Sequence, residues 1–250
     1  MINKDEKNEK EFYDKIGSLI GWDFSMLKYE LVDNSNFQYF DEINRKVTNQ
    51  SILLDIGTGG GEKLSSLISN ECLLKIGTDF SQEMIKVANE NKKNDRIRFF
   101  EMNSETLEFP NNFFDIICAR HTPFNFKEIF RLLNNNGTFF SEQIDEDDCK
   151  SLKELFGRGQ GYNEKIKLID KLKEEAKQNN FKSIEFFDIV QQEYYKTDDD
   201  LMFLLKNTPI IPNFGEEKLD YKKFNEYVEK NKSEKGILLE RKLFGIKAGV

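Results

Sequence analysis

Short apolar segments alternate with helix-like segments between residues 51 and 144, and this alternation limits the possible folds more than any other feature. The apolar segments SILLDIG, LLKIGTDF, IRFFEMN, FFDIICAR and GTFFSEQI predict strands, and EKLSSLIS, SQEMIKVANENKK and FKEIFRLL predict the helices between them. Strands that are apolar along their whole length are typical of a parallel sheet with helices on both faces. The sequence therefore predicts an α/β fold with a mostly parallel sheet.

The segments that flank this region predict additions to the same domain. Helical spacing over 6–20 and 37–47 predicts helices before the first strand. Two long strand-like segments near the carboxyl terminus predict closure of one sheet edge, with an antiparallel strand near it. We expect a single domain over 1–250, comprising a helical amino-terminal cap (1–48), a core sheet (49–196 and 235–250) and a helical insertion that is a possible substrate lid (197–234).

Charge and composition argue against several classes of protein. A net charge of −8 and an isoelectric point near 5.0 disfavour a broad phosphate-binding surface, and so a DNA or RNA partner. No apolar segment is long enough to span a bilayer, and the amino terminus lacks the apolar run of a signal peptide. Three scattered cysteines and one histidine give no zinc-binding pattern. We expect a reduced, cytoplasmic protein without a metal or membrane partner, as a monomer or homodimer.

A glycine-rich loop follows the first predicted strand in the sequence Asp55-Ile-Gly-Thr-Gly-Gly-Gly-Glu62. Glycine permits positive φ angles and lets a ligand approach the backbone, and the loop lies where open α/β sheets bind ligands. A tight turn that uses glycine only for geometry is the simplest alternative. A dinucleotide site is the more specific alternative. Its G-x-G-x-x-G pattern would place Glu62 at the third glycine, where glycine is needed for close packing of the helix on the strand.

The spacing D-x-G-x-G-x-G instead resembles the S-adenosylmethionine (SAM) motif of class I methyltransferases, and the resemblance extends to about residue 140. Gly77-Thr-Asp-Phe-Ser81 is similar to the second motif of that family, in which an acidic residue ends the second strand. Residues 103–109, NSETLEF, resemble its D-A-E-x-L-P-F stretch, with Asn in place of Asp. The FDII of the fourth strand and the turn ending at Gly137 also resemble family motifs, although asparagines replace the prolines and one glycine of that turn.

The resemblance implies a seven-stranded Rossmann-like sheet, the cofactor SAM and the product S-adenosylhomocysteine. It implies that Asp79 accepts hydrogen bonds from the ribose hydroxyls, that Phe80 packs on adenine, and that the carbonyl of Asn103 accepts from the adenine amine. A helix-start role for Asp79 and a core role for Phe80 remain open. The implied cofactor-binding residues are Asp55, Gly57, Thr58, Gly59, Gly61, Asp79, Phe80, Asn103, Ser104 and Arg120.

His121 is the only histidine and follows the fourth predicted strand, at the edge that faces the cofactor's methyl group in the family fold. Histidine titrates near neutral pH, so His121 is a candidate general base; a histidine that only lines the pocket or bonds a loop is the alternative. Arg120 is a candidate for binding a carboxylate of the substrate or of SAM, or else forms a surface ion pair. Tyr13 and Trp22 resemble lid residues, so both are candidate substrate contacts.

The resulting hypothesis is methyl transfer from SAM to a small-molecule acceptor, because the chain most resembles bacterial small-molecule methyltransferases. Methyl transfer mainly requires alignment of donor and acceptor and exclusion of water. An RNA or protein methyltransferase is one alternative, and a SAM-binding protein without catalysis is another.

Overall fold

One mixed sheet runs through the described part of the chain, which in this computed structural model comprises residues 14–15, 24–69 and 71–250. Its strands, in chain order, are β1 (Tyr29–Asp33), β2 (Ile52–Ile56), β3 (Leu74–Asp79), β4 (Ile97–Glu101), β5 (Phe114–Arg120), β6 (Leu133–Ile144), β7 (Ser183–Tyr195), β8 (Lys232–Ser233) and β9 (Gly236–Gly249). Across the sheet their order is β1-β7-β9-β6-β5-β2-β3-β4, with β8 paired to β9.

Five neighbouring strands, β2 to β6, are parallel, as the alternating pattern predicts. The strand β9 lies antiparallel between β6 and β7, and β1 lies antiparallel on the outer side of β7. The predicted fold class, including the antiparallel strand near one edge, is confirmed. The described residues contain nine strands where the resemblance implied seven, and the difference is β1 and the two-residue β8.

Helices cover both faces of this sheet. Those with bounds in the described residues are α1 (Tyr39–Lys46), α2 (Glu62–Ser66), α3 (Gln82–Glu90), α4 (Phe126–Leu132), α5 (Lys150–Phe156), α6 (Leu168–Lys177), α7 (Asp198–Asn207) and α8 (Asp220–Asn231). Successive residues of a strand point to opposite faces. Accordingly, Leu54 packs in a core with α4 and α6, whereas Leu53 packs in a core with α1, α2 and α3.

The amino-terminal segment differs from the prediction of a helical cap. Helix α1 confirms the helix expected near 37–47, but β1 was missed. Five residues that are half exposed at a sheet edge give little periodic signal, and the strand depends on pairing with the distant β7. Within that pair Tyr29 stacks on Tyr195, with ring centroids 5.3 Å apart. Most of the helix predicted over 6–20 lies outside the described residues.

A third core lies beyond the carboxyl ends of the parallel strands. Strands β7 and β9 extend past the end of β6, since Ile144 pairs with Leu243 while β9 begins at Gly236. The segment 197–234 connects the two extended strands and contains α7, α8 and β8. Its aromatic residues Phe224 and Tyr227 are buried against α5, β7 and β9, so they pack this third core. The insertion therefore lies at the carboxyl edge of the sheet, where a lid is expected.

Candidate functional site

Three sequence-predicted residues and one further acid lie at the carboxyl edge of the parallel strands. Asp55 is the penultimate residue of β2, Asp79 ends β3 and Arg120 ends β5. Glu142 lies next to Arg120, because these two residues pair directly in the register of β5 and β6. Parallel strands bring their carboxyl ends to one side of the sheet, and this is the ligand-binding edge of open α/β folds.

The glycine-rich loop takes a conformation that requires its glycines. Gly57, Gly59 and Gly61 have φ angles of +68°, +56° and +74°, a region that residues with a Cβ rarely adopt. A Cβ on Gly57 would lie 2.5 Å from the side chain of Thr122, and a Cβ on Gly61 would lie 2.6 Å from the ring of Phe99. The loop is thus packed closely against the residues that follow β5 and against β4.

Asp79 joins the loop to the end of β3. Its Oδ2 accepts a hydrogen bond from the Gly59 N–H at 3.0 Å, and its Oδ1 accepts one from the Ser81 N–H at 3.0 Å. The Ser81 hydroxyl accepts a hydrogen bond from the Met84 N–H, so Ser81 caps the amino terminus of α3. The Thr58 N–H donates to the Thr78 carbonyl at 2.9 Å, so the loop is also bonded to the β3 backbone. Asp79 therefore has both a structural role and a side chain at the ligand-binding edge.

Asp55 is a perturbed acid beneath this loop. Burial, with a smaller contribution from the Asp79 charge, raises the pKa of its carboxyl from 3.8 to about 7, while the nearby Thr58 side chain opposes the shift. Burial raises the pKa of Tyr39, at the start of α1, well above 10, and the Asp55 and Glu142 charges raise it as well. A carboxyl that titrates near neutral pH responds strongly to any charged ligand placed beside it.

The residues expected to contact adenine are placed less tightly. Phe80 is half buried and follows Asp79, as its expected role requires. Asn103 is exposed, and its side-chain carbonyl accepts the Glu105 N–H at 2.9 Å within its own turn. An adenine amine would have to share that oxygen. Ser104 is the partly buried neighbour of Asn103 in this turn.

His121 and Arg120 meet at Glu142. The Arg120 Nε donates to Glu142 Oε1 at 2.7 Å, and the His121 Nε2 lies 3.4 Å from the same oxygen. Arg120 thus forms the ion pair that the sequence left open, although its partner is buried rather than exposed. The pKa of His121 falls from 6.5 to about 4 because the ring is buried and Arg120 is close, while Glu142 opposes the shift. The imidazole is therefore neutral at pH 7.

Sequence reasoning missed Glu142. Burial raises its pKa, but the charge and hydrogen bond of Arg120 and the nearby His121 ring outweigh this effect and lower the pKa from 4.5 to about 2. The available signal was an acid inside the predicted strand GTFFSEQI. A buried acid requires a partner, but the sequence does not show which one.

The two predicted lid residues, Tyr13 and Trp22, lie outside the described residues. The adjacent Asp14 is described, and its carboxylate receives a hydrogen bond from the Ser81 hydroxyl. Residue 14 therefore lies beside the end of β3, close to Asp79. Within the described ranges no group of three or more His, Cys, Asp or Glu side chains could hold a metal ion, and no helix could cross a membrane.

Comparisons with known proteins agree with this architecture. Residues 54–141 match the family model described as a methyltransferase domain. An uncharacterized methyltransferase of Bacillus subtilis, YcgJ, is 33% identical over 99 residues, which are 35% of this chain and 38% of that protein. The matched segment therefore spans less than two fifths of the relative's length.

Solved structures share the fold over most of the chain. The crystal structure of YcgJ has a TM-score of 0.58 at 18% identity, covering 84% of this chain and 95% of that one. A functionally unknown protein from Deinococcus radiodurans has a TM-score of 0.55 at 16% identity, covering 95% and 98%. A Haemonchus contortus phosphoethanolamine N-methyltransferase, in complex with its phosphorylated amine and S-adenosylhomocysteine, has a TM-score of 0.51 at 21% identity, covering 84% and 52%. Residues 54–141 therefore match a methyltransferase domain, and the chain has the Rossmann-like fold that these solved structures share.

Proposed function

We propose that this protein transfers a methyl group from SAM to a small-molecule acceptor and releases S-adenosylhomocysteine. The observation that carries the proposal is the glycine loop bonded to Asp79: three left-handed glycines bring the backbone of residues 57–61 to the ligand-binding edge, beside a carboxylate. The family match over residues 54–141 supports the same reaction.

The chemistry of the edge fits SAM better than a dinucleotide. The Asp79 carboxylate is an acceptor that suits the two donating hydroxyls of a ribose. Asp55, Asp79 and Glu142 make the edge acidic, with Arg120 as the cation bonded to Glu142. An acidic edge favours a ligand with sulfonium and ammonium charges and disfavours the pyrophosphate of NAD. Bound SAM would supply a methyl group already activated by the positive sulfur.

The chain's own residues would then position the reactants. The loop and Asp79 would hold the nucleoside, and Asp55 would favour the cationic end of the donor. His121 is the candidate base, because a neutral imidazole at pH 7 can accept a proton. The 197–234 insertion at the carboxyl edge is the candidate lid that excludes water and contributes to the acceptor site.

The acceptor class and the cellular setting are also part of the proposal. An acidic surface favours a small acceptor over RNA, and we propose a cytoplasmic protein, a monomer or homodimer. The three cysteines are free and buried, as expected in a reducing compartment.

Incubation of the protein with methyl-labelled SAM and a bacterial cell extract tests the proposal. We expect label in small metabolites. Label in RNA or protein would favour the alternative acceptors. Binding of SAM without any transfer of label would indicate a SAM-binding protein, and tighter binding of NAD than of SAM by calorimetry would refute the proposal. Gly59→Val is the matched control for labelling that depends on the glycine loop, because its branched side chain opposes the φ of +56° that the loop requires.

A further inference from the structure

His121 is held in a backbone conformation that residues with a Cβ rarely adopt. Its φ angle is +54°, in the left-handed region. Its N–H donates to the Glu142 carbonyl at 2.9 Å, and the next carbonyl, that of Thr122, accepts from Gln143 Nε2 at 2.9 Å. The Thr122 side chain fills the space beside Gly57. The strained turn is thus fixed to both β6 and the glycine loop, and strain that neighbouring contacts impose is a mark of functional sites.

The side chains at this turn form a chain of three charged or polar groups. The buried Glu142 carboxylate is the middle member, with Arg120 Nε at 2.7 Å and His121 Nε2 at 3.4 Å from the same oxygen, Oε1. The charged groups that act on the imidazole are Arg120 on β5, Glu142 on β6 and Arg241 on β9. A separation of 3.4 Å exceeds that of a well-formed hydrogen bond, and such contacts often tighten when an active site fills.

We propose that Glu142 is a positioning residue for His121: its carboxylate holds the Nε2 edge of the ring and leaves Nδ1 to take a proton from the methyl acceptor. This inference rests on the proposed methyl transfer. In that step His121 Nδ1 would gain the acceptor's proton while the acceptor atom bonds to the methyl carbon, and the sulfur keeps the electron pair of the broken S–C bond. The imidazolium that results would lie against the Glu142 carboxylate. A carboxylate in this place fixes the ring and stabilises its charged form.

The same geometry assigns a role to Arg120. Its guanidinium keeps Glu142 ionised, and its positive charge offsets the carboxylate at the ring. Burial of the ring and the Arg120 charge together lower the pKa of His121, so the imidazole is neutral at pH 7, as a base must be.

The single histidine makes the inference testable without an acceptor. In a protein labelled with ¹⁵N-histidine, the only ring-nitrogen signals in the NMR spectrum are those of His121. In the wild type we expect a neutral ring protonated on Nε2 and a titration midpoint near 4, against 6.5 for an unperturbed histidine. Arg120→Met should raise the midpoint by about one unit or more, since the carboxylate is no longer neutralised. Glu142→Gln should lower it.

Two variants serve as controls. Arg120→Lys keeps the charge, and Glu128→Gln breaks the separate Glu128–Arg131 pair on α4; both should leave the midpoint close to that of the wild type. The His121 ring of an unfolded chain would titrate near 6.5, so each variant must be shown to be folded. The backbone amide spectrum provides this check. Midpoints that shift in the same direction in Arg120→Met and Glu142→Gln, or that do not shift, would overturn the inference, as would a folded wild type that titrates at 6.5.

A second readout separates positioning from simple packing. With labelled SAM and the extract, Glu142→Gln should lower the rate of label transfer about tenfold or more while the SAM dissociation constant stays within about twofold. Glu142→Asp should retain part of the rate. Wild-type transfer by Glu142→Gln would refute the role of Glu142. Failure of the wild type to bind SAM would instead refute the proposed function, and the ring titration would still report the Glu142–His121 coupling.

Discussion

At the candidate site the pKa of Asp55 is raised and the pKa of His121 is lowered, so the two groups have opposite effects on how stability depends on pH. Replacing either residue by Asn should reveal a pH dependence of the free energy of unfolding that the wild type conceals. The folded-state pKa of Asp55 is about 7, above its unfolded value of 3.8. Its contribution to stability is therefore fully present below pH 3.8 and is lost as the pH rises through 7. The folded-state pKa of His121 is about 4, below its unfolded value of 6.5. Its contribution is present above pH 6.5 and is lost as the pH falls towards 4.

The magnitudes follow from linkage at about 1.4 kcal/mol per pKa unit. Between pH 5 and pH 8, Asp55 should lower the free energy of unfolding by about 1–3 kcal/mol, and His121 should raise it by about 1–2 kcal/mol, after a discount for partial exposure of both side chains. The two effects nearly cancel. Because the chain has one histidine, no second imidazole contributes in this range.

Asn suits both positions. It is close to Asp in shape, and at position 121 it tolerates the φ of +54°. We expect Asp55→Asn to become more stable as the pH rises from 5 to 8, and His121→Asn to become less stable. The wild type should change little. The double variant should also be nearly flat, because both titrations are then removed.

Urea unfolding followed by far-UV circular dichroism at pH 5, 6, 7 and 8, at constant ionic strength, measures these free energies. Other groups titrate in every variant, so the difference between each variant and the wild type isolates one site. A difference between the wild type and Asp55→Asn that does not vary with pH would show that the Asp55 carboxyl titrates normally. The same result for His121→Asn would show that the imidazole titrates normally.

Three further variants test other parts of the structure. Asp79→Ala should weaken SAM binding roughly 10- to 1,000-fold by calorimetry, as expected for losing one or two hydrogen bonds to a charged group; an unchanged dissociation constant would limit Asp79 to bonding Gly59 and Ser81. Gly59→Val should abolish SAM binding while the melting temperature changes by only a few degrees, and normal binding would mean that the loop is only a turn. Arg241→Leu should lower the free energy of unfolding by about 3–5 kcal/mol, because it leaves Asp148 and Glu193 buried without their cation; a loss under about 1 kcal/mol would contradict this.

The core of the fold was predictable because its signals are local. Apolar runs such as SILLDIG specify buried strands, Ser81 directly precedes its helix, and the glycines of residues 57–61 specify a turn by their lack of side chains. Each of these features depends on a few neighbouring residues. The position of Asp79 at a strand end follows from the same local pattern.

The features that were missed depend on partners far away in the chain. Strand β1 exists because Tyr29 and its neighbours pair with β7, more than 150 residues later. Arg120 reaches Glu142 only because the register of β5 and β6 sets them side by side. Arg241 joins Asp148 and Glu193 through a strand that inserts between β6 and β7. Register is set by packing across the sheet, so a single sequence does not reveal these partners.

Strand β9, which lies antiparallel between β6 and β7, links the surroundings of His121 to the 197–234 segment. It brings Arg241 into the electrostatic surroundings of His121 and carries the 197–234 segment to the carboxyl edge. The glycine loop, on β2, reaches the same edge from the other side and contacts Thr122, the residue after His121. Glycine would adopt the φ of residue 121 without strain, yet a histidine occupies the turn. The turn therefore costs stability that a glycine would not, and the proposed role of the imidazole as a base would account for a side chain at this position.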